Sequence, residues 1–110
     1  MKLRNLLVAA MGLSMAAGVA GAASAATPWQ HHHPRRVEVN HRLATLNRSI
    51  GHERREGDVS AYQARHLHAR VHMIRLQERR FAGRHVGHIS RAEQMRLNHE
   101  ESGVRSHIPS

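Results

Sequence analysis

Apolar residues recur along most of this chain at the intervals of an amphipathic helix. Between Gly57 and Phe81, the residues Ala64, Leu67, Val71, Ile74, Glu78 and Phe81 follow one another at steps of three and four. That is one helical seam with a single charged interruption. Tyr62, Ala69, Met73 and Leu76 fall nearly opposite, at about 100° per residue. Two apolar stripes suit a helix lying between two neighbours, so this segment reads as the middle helix. A second seam, Val39, Leu43, Leu46 and Ile50, precedes it, with Arg42, Arg48, Arg54 and Arg55 outside the stripe. A third carries Leu97, Val104 and Ile108, diluted by Glu93, Glu101 and Gly103. The pattern predicts an all-α fold, a three-helix meander or hairpin over about 36–55, 60–81 and 90–107.

Helix starts and stops support these bounds. Ser60 with Gln63, and Ser90 with Glu93, are spaced as capping boxes, the serine accepting from the third residue on and that side chain reaching back. Gly57 is placed to end the first helix. The two starts, Gly57-Asp58-Val59-Ser60 and Gly87-His88-Ile89-Ser90, echo each other at 30 residues. Either duplication or the shared grammar of helix boundaries accounts for that. Thr27 to Pro34 has no apolar period and carries two prolines, so residues 26–34 read as a flexible, histidine-rich tail and 35–110 as the helical domain.

The first 25 residues read differently. Met1-Lys2-Leu3-Arg4 is a positive start, Leu6 to Ala20 an apolar run, and Ala23-Ser24-Ala25 a small-x-small cleavage pattern. This is the layout of a signal peptide, and its apolar run is short for a membrane span. The expected product is periplasmic, and without cysteine it is neither a lipoprotein nor disulfide-bonded. About 85 residues then remain, with only 16 Val, Leu, Ile and Phe. A core so thin is marginal for a lone monomer, and a homodimer through the second apolar stripe is the expected remedy.

Charge narrows the partners. Past the leader stand 15 arginines, no lysine, and 8 acids, a net +7, with all 12 histidines. At an ordinary histidine pKa of ~6.5, an acid medium would add further positive charge. Such a surface attracts anions. Export argues against nucleic acid, as does the shortage of stacking side chains beyond Trp29, Tyr62 and Phe81. Unfolded proteins or anionic envelope components are the partners expected instead.

The residues that could carry chemistry are few. His68 and His72, four apart, project from one side of a helix and could chelate Zn²⁺, Ni²⁺ or Cu²⁺ if His99, Glu100 or a second subunit completed the set. His66 points about 160° away from His68 at helical spacing. His31, His32 and His33 form a tail tract able to hold metal loosely. Arg75 and Arg79 share the flank of His68 and His72 and oppose a cation there; with Arg65 and Arg70 they form the basic face expected to meet a partner. The acids stand mostly beside arginines, in pairs worth ~0.2–0.5 kcal/mol each. Glu78 alone interrupts a seam, and an Arg from a neighbouring helix is its expected partner. No nucleophile–base pair emerges, so no enzymatic activity is expected.

The run from Arg35 to Ile108 resembles small exported proteobacterial helical proteins of unknown function. Arg35-Arg36, Val39-Asn40-x-Arg42-Leu43, Asn47, Ile50, Gln63-Ala64, Leu67-His68, Ile74-Arg75 and Gln77-Glu78-Arg79 carry that likeness. It continues through Gly87-His88-Ile89-Ser90, Glu93-Gln94, Leu97-Asn98 and Glu100. Val59-Ser60-Ala61-Tyr62-Gln63 and Ile89-Ser90-Arg91-Ala92-Glu93 are also similar to the Leu-Thr-x-x-Gln mark of the periplasmic Spy/CpxP group, the second lacking its Gln. That group implies basic helical dimers acting as envelope-stress chaperones or regulators, with zinc- and nickel-responsive relatives. The expected function is therefore non-catalytic, chaperone-like contact through an Arg-rich surface, with no cofactor. The alternative is a divalent-metal buffer or sensor using the helix histidines.

Overall fold

Proline placement sets the first boundaries in the structure, a computed structural model that describes residues 26–109. The expected leader lies outside those residues. Pro28 opens a five-residue helix, α1 (Pro28–His32), inside the segment expected to lack regular structure. Its cap was legible: Gln30 donates its amide N–H to Thr27 Oγ1 (3.2 Å) and Gln30 Oε1 accepts from the Thr27 amide (2.7 Å). This repeats the reciprocal pairing seen at the longer helices. α1 stands outside the compact unit formed by His33–Pro109.

Within that unit, Pro34 occupies the first turn of α2 (Pro34–Arg55), where its missing N–H costs nothing. The seam Val39, Leu43, Leu46 and Ile50 is buried throughout, and Arg42, Arg48, Arg54 and Arg55 are exposed. The helix ends in a Schellman turn: the Asp58 amide reaches the Glu53 carbonyl (2.9 Å) and the Gly57 amide reaches Arg54 (3.2 Å). Gly57 supplies the positive φ of 82° that this turn requires.

α3 (Ala61–Arg84) starts at the expected cap, with the Gln63 amide donating to Ser60 Oγ (3.0 Å) and Gln63 Oε1 accepting from the Ser60 amide (2.9 Å). It runs three residues beyond Phe81, and Ala82 in that extension joins the core. The closing turn again bonds six to one, Gly87 amide to Ala82 carbonyl (2.8 Å), but here the left-handed position before Gly87 is Val86, at φ 54°. α4 (Arg91–Arg105) carries the second capping box on Ser90 and Glu93 and buries Leu97, Glu101 and Val104.

The architecture is all-helical among the described residues. As expected, α3 packs against two neighbours, and α2 and α4 also pack against each other. A closed triangle needs one buried seam per helix. Ala64, Leu67, Val71, Ile74, Glu78 and Phe81 serve α3 toward both neighbours, leaving Tyr62, Ala69 and Met73 exposed and Leu76 half-buried. Val59 and Ile89, each just before a capping serine, complete the core from the turns. None of the described helices is long and apolar enough to cross a membrane.

Candidate functional site

Glu78, 1 % exposed, is the charged gap in the α3 seam, and its partner comes from α2 as expected. Arg36 Nε donates to Glu78 Oε2 at 2.5 Å, with a second contact from Nη2 to Oε1 at 3.5 Å. Asn40 Nδ2 approaches the same carboxylate at 3.5 Å. Arg36 Nη1 also donates to the Gly87 carbonyl (3.1 Å), and Arg35 Nη1 to that of Ile89 (3.3 Å). One guanidinium thus neutralises a buried carboxylate and ties the α3–α4 connection to α2. This is a structural brace.

A groove of about 500 Å³ runs between α3 and α4, with Ala69, Met73 and Ile74 as its apolar surface and Arg70, Arg80, His66 and Glu100 among its polar lining. Met73 is 57 % exposed. Tyr62 and Met95, 72 % and 62 % exposed, stand one helical turn before the groove residues His66 and His99 without lining the groove themselves. The second apolar stripe read from the sequence therefore borders a groove instead of a third helix. Of the four arginines assigned to the basic face, Arg70 lines this groove, whereas Arg65, Arg75 and Arg79 do not.

The histidines divide by the same helical phase. His68 is turned to α2, its Nδ1 2.8 Å from Asn47 Oδ1, while His66 shares the groove with His99 and Glu100. The residues named as possible completing ligands thus lie beside His66 and not beside the pair His68 and His72. Among the described residues no three His, Asp or Glu side chains gather as a metal-holding group. His31 and His32 end α1. His33 stands at the N-cap position of α2, without a side-chain capping bond, and stacks on His88, ring centroids 4.6 Å apart. His85 Nε2 meets Glu93 Oε2 at 3.3 Å, a carboxylate eight residues away in sequence. Burial alone would raise the Glu93 carboxyl, but hydrogen bonds from the Ser90 backbone and hydroxyl, with His85, outweigh it and hold it below its ordinary value.

Two further carboxyls bridge or border α2 and α4, and the sequence pattern set neither apart as a site. Glu38 Oε1 accepts from Gln94 Nε2 (2.8 Å) and Asn98 Nδ2 (3.1 Å), and its other oxygen accepts from Arg42. Burial works against its ionisation, yet these three donors keep it below the ordinary carboxylate range. Glu101, 2 % exposed, has neither oxygen partnered among the described residues. Burial pushes its carboxyl up to about 8, with the Arg42 charge pulling the other way. The interruption of the α4 seam by Glu101 was visible, but which helix would cover it was not.

No family model, curated protein or solved structure matches the chain.

Proposed function

We propose that this protein works by contact, without catalysis, holding unfolded polypeptides or other anionic envelope components against its Arg-rich surface in the periplasm. The α3–α4 groove is the observation that supports this reading. It joins an apolar strip (Ala69, Met73, Ile74) to the cations Arg70 and Arg80, the combination a non-native segment with apolar and acidic residues would meet. Methionine suits the task, because its flexible, polarisable side chain adapts to varied sequences. A second copy of the chain is the other occupant of the same stripe, which would make the dimer a resting state that clients displace.

The test is suppression of aggregation of a chemically denatured, acidic client at low and high salt. The reading predicts that sub-stoichiometric clearing of turbidity fails while equimolar protein clears it, with the effect weakening as salt screens the arginines. No clearing at low salt with equimolar protein would end it.

A further inference from the structure

All three buried polar side-chain atoms that lack a partner among the described residues lie within one turn of α4: Asn98 Oδ1, Glu101 Oε1 and Glu101 Oε2. All are acceptors. Glu101 also lines a cleft of about 330 Å³ between α2 and α4, shared with His41, Arg42, Thr45, Leu46, Ser102 and Arg105. That is far more than the ~10–15 Å³ one water needs on the same measure. The donors around this cleft are unevenly committed. The Thr45 hydroxyl donates to the His41 carbonyl (3.0 Å) and the Ser102 hydroxyl to that of Asn98 (3.0 Å). Arg42 gives its Nε to Glu38, but its terminal nitrogens make no hydrogen bond among the described residues, and neither does the Arg105 guanidinium.

We propose that this cleft is a phosphomonoester site, in which Arg42 from α2 and Arg105 from α4, with His41, hold the anion beside Glu101. Arg42 and Arg105 line the cleft from different helices, and guanidiniums suit a tetrahedral oxyanion, which offers acceptors on every side. A cationic ligand would face both arginines. The other acids nearby are already engaged, Glu38 by its three donors and Glu100 by Arg96 at 3.5 Å. The charged groups facing Glu101 are thus Arg42, Glu38 and His41 on α2 and Glu100 and Arg105 on α4; α3 contributes no lining residue. Burial raises the Glu101 carboxyl to about 8, which lessens its repulsion of an anion in the cleft near neutral pH. Ionisation above about pH 8 would place a negative charge against the bound group.

The phosphate is either a lipid or glycolipid headgroup or a soluble phosphomonoester, and two arms separate these. In the first, inorganic phosphate is titrated into the full chain while backbone amide shifts are followed. The expected result is saturable shifts centred on Arg42, Thr45, Ser102 and Arg105. Affinity should fall about tenfold or more in Arg42→Ala/Arg105→Ala and stay within about twofold in the charge-matched Arg54→Ala/Arg55→Ala. Glu101→Gln should bind like the wild type near pH 6.5 and progressively more tightly than the wild type above pH 8, a ratio that cancels the titration of phosphate itself. The amide spectra report in the same experiment that each variant is folded. Equal losses in the two arginine pairs, or shifts spread over the whole basic surface, would overturn the proposal. In the second arm, phosphatidylcholine vesicles with and without phosphatidic acid are co-sedimented with the protein. Binding that requires phosphatidic acid and is lost in Arg42→Ala/Arg105→Ala assigns the headgroup as source; phosphate binding without it assigns a soluble ester. The client-holding groove uses neither arginine, so loss of phosphate binding with client holding intact separates the two sites.

Discussion

Arg36 and Glu78 show how much one side chain decides here. Glu78 is buried with its charge matched by Arg36, so removing only the cation leaves an uncompensated carboxylate in the core. Arg36→Ala should cost about 3–5 kcal/mol in denaturant unfolding, and Arg36→Met/Glu78→Leu should recover most of it. Val86 works in the opposite sense. It is 92 % exposed and held at φ 54°, where a β-branched side chain is strained and contributes no core packing. Val86→Gly should raise the unfolding free energy by about 0.5–1 kcal/mol, the relieved strain exceeding the extra freedom of the unfolded chain. Glu101 makes stability depend on pH. Its unfolded carboxyl titrates near 4.5 and its folded one near 8. Between these values the unfolded state has lost the proton that the native state retains, so stability falls as pH rises through that window and levels off above it. Urea melts from about pH 5 to about pH 8.5 should show that fall in the wild type and a flatter profile in Glu101→Gln.

Helix boundaries were the most readable features at the scale of elements. Ser60 and Ser90 cap where their spacing to Gln63 and Glu93 placed them, and both reciprocal bonds form. Ser60→Ala and Ser90→Ala should each lower stability by about 1 kcal/mol in thermal or urea unfolding. Thr27-Pro28-Trp29-Gln30 has the same grammar and caps α1, but without an apolar seam behind it the signal passed for a tail. The seam of α2 was legible because Val39, Leu43, Leu46 and Ile50 carry it uninterrupted. The two stripes of α3 were legible too, yet their meaning depended on how the helices close. Periodicity gives the phase of a residue on its own helix and says nothing of which helix sits opposite. That is why His68 was paired with His99 and Glu100 when His66 is the one beside them, and why Arg36 could not be singled out among 15 arginines as the partner of Glu78.

For the whole molecule, a thin core and a strong positive charge pull against each other. Lowering the pH favours the fold at one point, where the buried Glu101 carboxyl holds its proton more tightly in the folded state. The three seams and the two turn residues Val59 and Ile89 close one core, and what they leave outside is a groove with cations on its edges. On the proposed function, clients are held in that groove. The direct measurement is client holding at low salt by Arg70→Gln/Arg80→Gln against Arg54→Gln/Arg55→Gln, which removes the same charge from the far end of α2. The groove pair should need roughly fivefold more protein for the same suppression while the α2 pair behaves as the wild type. Equal activity of both variants, or equal loss, would contradict the assignment of the groove as the place where clients are held.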